Sequence, residues 1–342
     1  MKKKILHLLS SNAYSGAESV AIKIISTLSD EYEFAYVSPK GPIVEKLKEN
    51  NITYIPLKGM NPYYVNGILK SWKPDVIHAH DFRASIASAF TSYSCKRISH
   101  IHQNPEWIKR INLFTILYSL SSLKYNYVIH VSKAIKDEAV FSKLMRNKEI
   151  VLSNYVDITD VYNKSLSSEE EIFDLAFVGR LSEVKDPLKF IQIVRTIANK
   201  KPDIKAVMVG DGELKDLCEQ KIKDLKLINN IRMLGFLSNP YPVMRNSRLI
   251  VITSKWEGFC LVAVEAMALG KPIICTPVGG LNEIVNKECG VFMVSEYDVS
   301  EKIVNILRDD HLYNSLSLNA LRQSKKFSNR ENWIKTLNSL YN

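Results

Sequence analysis

The stretch SKWEGFCLVAVEAMALGKP, Ser254 to Pro272, sets two glutamates, Glu257 and Glu265, eight positions apart around a glycine turn. Upstream, Leu249-Ile250-Val251-Ile252-Thr253 is a continuous apolar run of the kind found in buried parallel strands. Downstream, Val262 to Leu269 holds residues that favour or tolerate a helix, with Gly270 suited to its C-terminal stop and Pro272 beyond. The order is strand, glycine turn, helix. After Gly258, such a turn aims free backbone N–H groups of Phe259, Cys260 and Leu261 past the strand end, where a phosphate is the natural occupant. A carboxylate at each end would repel that phosphate unless each one reaches past it to hydroxyl groups. The pair points to a ligand with phosphate in the middle and a polyol on each side, and a nucleoside diphosphate sugar fits. The competing reading makes Glu257 a helix cap and Glu265 half of a surface ion pair.

The same stretch resembles the Glu-x7-Glu motif of the retaining, GT-B-fold glycosyltransferases of family 4, the glycosyl transferases group 1. The flanking Gly-Lys-Pro-Ile-Ile at 270–274 and Val-Gly-Gly at 278–280 make the likeness specific, and it extends over nearly the whole chain. It implies that Glu257 reads hydroxyls of a donor sugar and Glu265 the ribose. Cys260 stands where the family often has Gly, and its side chain is expected to narrow the loop.

A second signal is Phe177-Val178-Gly179-Arg180-Leu181-Ser182-Glu183-Val184-Lys185-Asp186-Pro187. A strand ends at Gly179, two cations stand five apart, and a helix starts near Pro187. Cations on a loop at a strand's C-terminal end suit a diphosphate, which Arg180 can clamp bidentately and Lys185 can hold as a point charge. The segment resembles the family's Gly-Arg-Leu-x-x-x-Lys, which implies that both cations also stabilise the departing phosphate. Val209-Gly210-Asp211-Gly212 matches the family's Gly-x-Gly loop but is a weak signal alone. Arg232 to Leu237 resembles the segment that holds the nucleotide base through backbone groups, so side chains do not name the base; a UDP-sugar is the expected donor.

In the first half, Ser10-Ser11-Asn12-Ala13-Tyr14-Ser15-Gly16-Ala17-Glu18 resembles the family's Gly-Gly-x-Glu loop, with Ser15 replacing the first Gly. Gly16 allows close backbone approach to the diphosphate or sugar, and Ser15 stiffens the loop. His78 and His80 share one face of a strand, a spacing that can ligate a metal. No third ligand stands at suitable spacing, and the family is typically metal-independent, so no metal is expected. His102 matches the family's active-site histidine near sugar and acceptor; His80 is the second choice. No Asp-x-Asp occurs, which weighs against a Mg- or Mn-dependent GT-A enzyme.

A chain of 342 residues suits two domains of ordinary size, and 46% apolar content supports globular cores. Strand and helix alternate twice: strands near 5–9, 34–38, 52–57, 75–80, 98–102, 127–131 and 150–153, then near 175–178, 206–209, 231–234, 249–253, 272–275 and 291–294. This alternation builds two doubly wound parallel sheets, expected to face each other across a cleft in the GT-B manner. We expect an acceptor-binding domain at 1–155 and a nucleotide-sugar-binding domain at 156–327. A polar linker is read at Asn154–Ile172 through Ser167-Ser168-Glu169-Glu170-Glu171, and a final helical stretch, about Ser315–Tyr341, returns from about residue 328 to the first domain. Trp107 to Leu123 reads as one helix, largely core with a wet end; a membrane-surface helix is the alternative.

The net charge of +10 is uneven: residues 1–150 hold 21 Lys+Arg against 12 Asp+Glu, and 151–342 hold 25 against 24. A basic first half attracts anionic surfaces. We expect peripheral contact with an anionic membrane and no nucleic-acid partner. Five cysteines without a Cys-x-x-Cys pair argue for a reducing compartment and against zinc. No apolar run reaches transmembrane length, and the Met1–Leu9 stretch reads as a strand rather than a leader. The expected place is the cytoplasm, with a peripheral position on the inner membrane face. The resemblance implies a same-face transfer from the nucleotide sugar to a glycan or lipid-linked glycan of bacterial surface polysaccharide, with domain closure excluding water and no cofactor besides the donor. A GT-B nucleotide-sugar epimerase and a non-catalytic sugar-nucleotide-binding assembly protein are the rivals. A dehydrogenase is disfavoured because no Gly-x-Gly-x-x-Gly follows the first strand.

Overall fold

The computed structural model describes residues 2–145, 148–167 and 171–342. Two compact units emerge: residues 1–154 with 331–342, and residues 155–330. Each is an all-parallel sheet covered by helices.

In the first unit, strands β1 (Lys4–Leu8), β2 (Glu33–Pro39), β3 (Tyr54–Leu57), β4 (Val76–Ala79), β5 (Lys96–Ile101), β6 (Tyr127–His130) and β7 (Glu149–Val151) are ordered β3-β2-β1-β4-β5-β6-β7. In the second, β8 (Phe173–Val178), β9 (Ala206–Val209), β10 (Ile231–Gly235), β11 (Ser247–Ile252), β12 (Ile273–Cys275) and β13 (Gly290–Phe292) are ordered β10-β9-β8-β11-β12-β13. Strand order reverses between β1 and β4 and again between β8 and β11. A doubly wound sheet opens a crevice at that switch, beyond the C-terminal strand ends. Both motifs of the second half, and the Ser10–Gly16 loop with His80 of the first, follow strands at these two switches.

Helix boundaries correct several expectations. The Trp107–Leu123 stretch is broken into a short 3-10 turn, Glu106–Lys109, and a helix, Leu113–Ser121. Asn112 causes the break: its side chain accepts from the Phe114 and Thr115 amides and starts a new helix. Within the stretch read as linker lies a helix, Ile158–Lys164, capped by Asp157; Ser168, Glu169 and Glu170 of that stretch lie outside the described residues. The final stretch divides into Asp310–Ser324 and Arg330–Tyr341. A helix at Pro62–Trp72 lies outside the expected set, although Asn61 before Pro62 is a start signal; Asn61 caps it through the Tyr64 amide. No helix among the described residues is long and apolar enough to cross a membrane.

The first sheet has two unlike faces. Leu6, Leu8, Ile77 and Ala79 join an apolar cluster on one. Strand alternation sends His7 and His78, paired in register, to the other. There His7, His78, His80 and His100 are buried and bond to one another, and Tyr341 of the last helix covers them, its OH 2.8 Å from His78 Nδ1. Burial pushes the His7 imidazole down to about 3, and holds His78, His80 and His100 well below the usual range, with neighbouring histidines adding repulsion at these three. All four are thus neutral in the folded protein.

These depressed values fix a pH response. The unfolded chain binds protons that the folded core refuses, so the stability contribution is complete above about pH 6.5 and is lost as pH falls from there. Each buried histidine costs about 1.4 kcal/mol per pH unit below that point, against a typical total of about 5–15 kcal/mol. Urea unfolding at pH 7 and pH 5 should show the first-unit transition moving to clearly lower urea at pH 5. An unchanged transition would mean that the histidines protonate without unfolding.

Candidate functional site

In the second unit the site is built where loops after β8, β9, β11 and β12 meet. Backbone packs on backbone here, and two glycines make that possible. A Cβ on Gly210 would sit 1.9 Å from the Gly179 carbonyl oxygen, and one on Gly280 would sit 2.4 Å from that of Gly258. The loops are further tied by Gly179 N to Val209 O at 2.9 Å, Leu181 N to Asp211 O at 2.9 Å and Gly280 N to Glu257 O at 3.2 Å.

This frame brings Lys185 and Glu257 together across 72 residues of sequence, Nζ to Oε1 at 2.6 Å. Ser254 Oγ donates to the same oxygen at 2.6 Å. Thr253 Oγ1 donates to the Lys185 and Asp186 carbonyls, and the Lys255 amide donates to Val184 O at 2.8 Å, so the β11 loop holds the β8 loop along its length. Glu257 is buried and Lys185 half-buried. Burial opposes the charge on Lys185, but the Glu257 carboxylate and its hydrogen bond outweigh it and raise the ammonium above its usual range. The lysine therefore stays a cation. Arg180, beside Gly179, is exposed and makes no ion pair among the described residues.

The Leu261–Ala268 helix starts at Cys260, whose φ is +82°. A left-handed conformation costs a side-chain-bearing residue about 1–2 kcal/mol, which explains why glycine suits this position. Phe259 and Cys260 are buried, and Leu261 is partly exposed at the helix start. Glu265 lies one turn on and accepts from Tyr241 Oη at 3.2 Å.

In the first unit, Asp81 joins two strand ends: its carboxylate accepts from the Ser10 amide at 2.7 Å and the Ala84 amide at 2.8 Å. Burial raises its carboxyl from the usual range, partly offset by these bonds. Ser15 precedes the Gly16–Leu28 helix in extended backbone and its hydroxyl donates to Glu18. A Cβ on Gly16 would meet nothing within 4 Å, so the space beside it is open.

His102 is partly exposed, and its Nε2 lies 3.0 Å from His80 Nδ1; His80 Nε2 in turn lies 2.7 Å from His7 Nδ1. Burial lowers His102 to about 3. The reading that no third ligand accompanies His78 and His80 is corrected, because His7, His78 and His80, and also His80, His100 and His102, each gather three ring nitrogens within 4.8 Å. Strand pairing supplies the missing partners, which spacing along the chain does not reveal. The bonded rings, however, meet nearly in line: centroids are 4.9 Å apart for His7–His80 and 5.2 Å for His80–His102, close to the N···N distance plus two ring radii. Tetrahedral zinc, with Zn–N bonds of about 2.0–2.1 Å, would hold its ligand nitrogens about 3.3 Å apart with both lone pairs aimed at the metal rather than at each other. The spacing is that of a hydrogen-bonded chain of imidazoles.

That chain couples tautomers. If His7 donates to His80 and His80 to His102, the outer Nδ1 of His102 carries a proton, and the buried, partnerless Nε2 of His7 is a bare lone pair. The reverse order would bury an N–H with no acceptor, the rarer kind of orphan. His102 is thus set to present a donor outward.

The sequence-derived set falls into two groups. Gly179, Arg180, Lys185, Gly210, Glu257, Gly258, Phe259, Cys260, Leu261 and Glu265 line neighbouring loops of the second unit. Ser15, Gly16, His80 and His102 lie beyond the ends of β1, β4 and β5 in the first. Sequence reasoning missed Ser254, Tyr241 and His7, and quoted Gly280 within Val-Gly-Gly without giving it a role. Ser254 was within reach, being three residues before Glu257 on the same turn; the others meet the site only through the fold.

Known proteins agree with this architecture. Residues 159–323 match the model of the family described as Glycosyl transferases group 1. An uncharacterised glycosyltransferase of Methanocaldococcus jannaschii, MJ1059, is 28% identical over 72% of this chain and 69% of its own length. The UDP-Gal:alpha-D-GlcNAc-diphosphoundecaprenol alpha-1,3-galactosyltransferase of Escherichia coli is 26% identical over 93% of this chain and 91% of its own. Among solved structures, Anabaena Alr3699/HepE in complex with UDP-glucose superposes with a TM-score of 0.85 at 23% identity, covering 98% of this chain and 99% of that one. With two helix-covered parallel sheets and this match over residues 159–323, the chain has the GT-B architecture and its second unit carries a segment similar to the glycosyl transferases group 1 family.

Proposed function

We propose that this GT-B glycosyltransferase is a retaining, metal-independent enzyme that moves a sugar from UDP to a hydroxyl of a lipid-linked glycan in bacterial surface polysaccharide synthesis. The observation that carries this reading is the Lys185–Glu257 pair on adjoining loops at the second sheet's switch point. It puts a persistent cation beside a buried carboxylate, a combination that suits a diphosphate joined to a sugar. Lys185 and Arg180, with the amides near Phe259–Leu261, hold the diphosphate. Glu257 accepts from hydroxyls of the donor sugar, and Glu265 from the ribose. His102 donates from Nδ1 to a hydroxyl of sugar or acceptor, near Ser15, Gly16 and His80.

In the transfer, the bond from the anomeric carbon to the phosphate oxygen breaks and the acceptor oxygen bonds to the same face. The acceptor's proton passes to the departing phosphate. Negative charge grows on that phosphate, and Lys185 and Arg180 stabilise it more in the transition state than in the ground state. A lipid-linked acceptor is supported by the galactosyltransferase relative, whose name specifies a diphosphoundecaprenol substrate, and by the +9 balance of residues 1–150. UDP is supported by the HepE complex. The enzyme would work in the cytoplasm at the inner face of the membrane.

Lys185→Met or Glu257→Gln should each lower transfer by about a hundred-fold or more. Each also leaves a partner unpaired in a partly desolvated site and so lowers the urea midpoint. The double variant separates the two effects. It should recover much of the stability and none of the turnover; recovery of both would reduce the pair to a structural role. Proton NMR of the product should show the donor's anomeric configuration, and an inverted product would refute the same-face mechanism. Transfer should continue at full rate after exhaustive chelation with EDTA, whereas loss reversed by a divalent cation would establish a metal requirement.

A further inference from the structure

The Leu113–Ser121 helix is inside out. Its buried face carries Thr115, Tyr118 and Ser121, followed by Ser122. Beneath it lies a layer of hydroxyls: Tyr118 Oη is 2.7 Å from Ser99 Oγ, which is 2.7 Å from Ser85 Oγ, and Ser121 Oγ is 2.6 Å from Tyr125 Oη. These bonds fix the polar side inward. The opposite stripe, Leu113, Ile116, Leu120 and Leu123, runs at helical spacing and is 48–75% exposed. Phe114 and Ile111 extend it, at 60% and 81% exposure. So large a contiguous apolar surface marks an interaction site.

The surroundings identify the partner. Between Glu106 and Asp137 the chain has no acidic residue. Arg83, Arg110 and Lys124 border the stripe and make no ion pair among the described residues. A groove of about 680 Å³ adjoins it, lined by Phe82, Ile86, Trp107 and Phe114 with Arg83 and Arg110 among its walls. Two of its lining residues lie a short way along the chain from strand ends assigned to the acceptor, Phe82 two residues after His80 and Trp107 five after His102. An apolar stripe flanked by unpaired cations matches an anionic lipid surface: the chains take the stripe and the headgroups the cations.

We propose that this helix is a membrane-docking element that lies in the interface of an anionic bilayer, with the adjoining groove receiving the hydrocarbon chain of one lipid. The proposal names the surface by which the enzyme proposed above would meet a membrane-borne acceptor, and it rests on that reading for its purpose. Its test is independent, because vesicle binding is measured with neither donor nor acceptor present.

Flotation of the full chain with vesicles of equimolar phosphatidylcholine and phosphatidylglycerol should show binding that weakens with salt and is much poorer on pure phosphatidylcholine. Combining Leu113→Ser, Leu120→Ser and Leu123→Ser should weaken it by roughly ten-fold or more, with the urea midpoint retained because these side chains are exposed. Pairing Arg110→Glu with Lys124→Glu should abolish the preference for the anionic lipid, a second readout if the serine variant folds poorly. No binding by the wild-type chain, or equal binding by both variants, overturns the proposal. So does sedimentation showing a wild-type dimer that the serine substitutions dissociate, without vesicle binding; a second copy then covers the stripe.

Discussion

The second unit depends on holding one ammonium and one carboxylate together at the mouth of a sheet. Lys185 and Glu257 come from loops 72 residues apart, yet meet at 2.6 Å. Isolated, either charge in a partly desolvated site would be costly; paired, they keep the lysine charged. The precision comes from backbone packing rather than from the two side chains. Gly210 and Gly280 admit carbonyl oxygens where any Cβ would collide, so four strand ends converge within van der Waals contact. Thr253 and Ser254 then fasten the lysine's backbone and the glutamate's carboxylate. A site built this way is rigid before its ligand arrives, which is what electrostatic stabilisation of a departing phosphate requires.

The first unit solves a different problem. Its sheet carries histidines across one face where aliphatic side chains would ordinarily pack. They are tolerated because each neutral imidazole offers one donor and one acceptor, so a row of them can pair internally, leaving only ring nitrogens at its buried ends, His7 Nε2 and His100 Nε2, without partners. The same bonds decide the tautomer at the exposed end of the row, His102. Core packing and the chemistry of the open edge are linked there through two hydrogen bonds.

Much of this was legible in the sequence because it is local. Strands at the two switch points announce themselves as apolar runs, and Arg180, Lys185, Glu257 and Glu265 stand at fixed offsets within single strand–turn–helix units. What stayed hidden depends on pairing between distant segments. His7 and His78 are neighbours only through parallel register, and Tyr241 reaches Glu265 only after the helix after β10 is placed. The Leu113–Ser121 helix teaches a separate lesson. Periodicity shows which residues share a face, but not which face meets the core. The stripe at 113, 116, 120 and 123 reads as a core face, and the hydroxyl layer under Thr115, Tyr118 and Ser121 turns it outward.

Whether the loops around Lys185 and Glu257 bind the diphosphate and sugar of a nucleotide donor can be seen in a crystal structure of the chain soaked with a non-hydrolysable UDP-sugar. The diphosphate should lie within hydrogen-bonding distance of Lys185 Nζ, Arg180 and the amides near Phe259–Leu261, with Glu257 on the sugar and Glu265 on the ribose. A donor bound elsewhere, or with its diphosphate away from both cations, would contradict this placement.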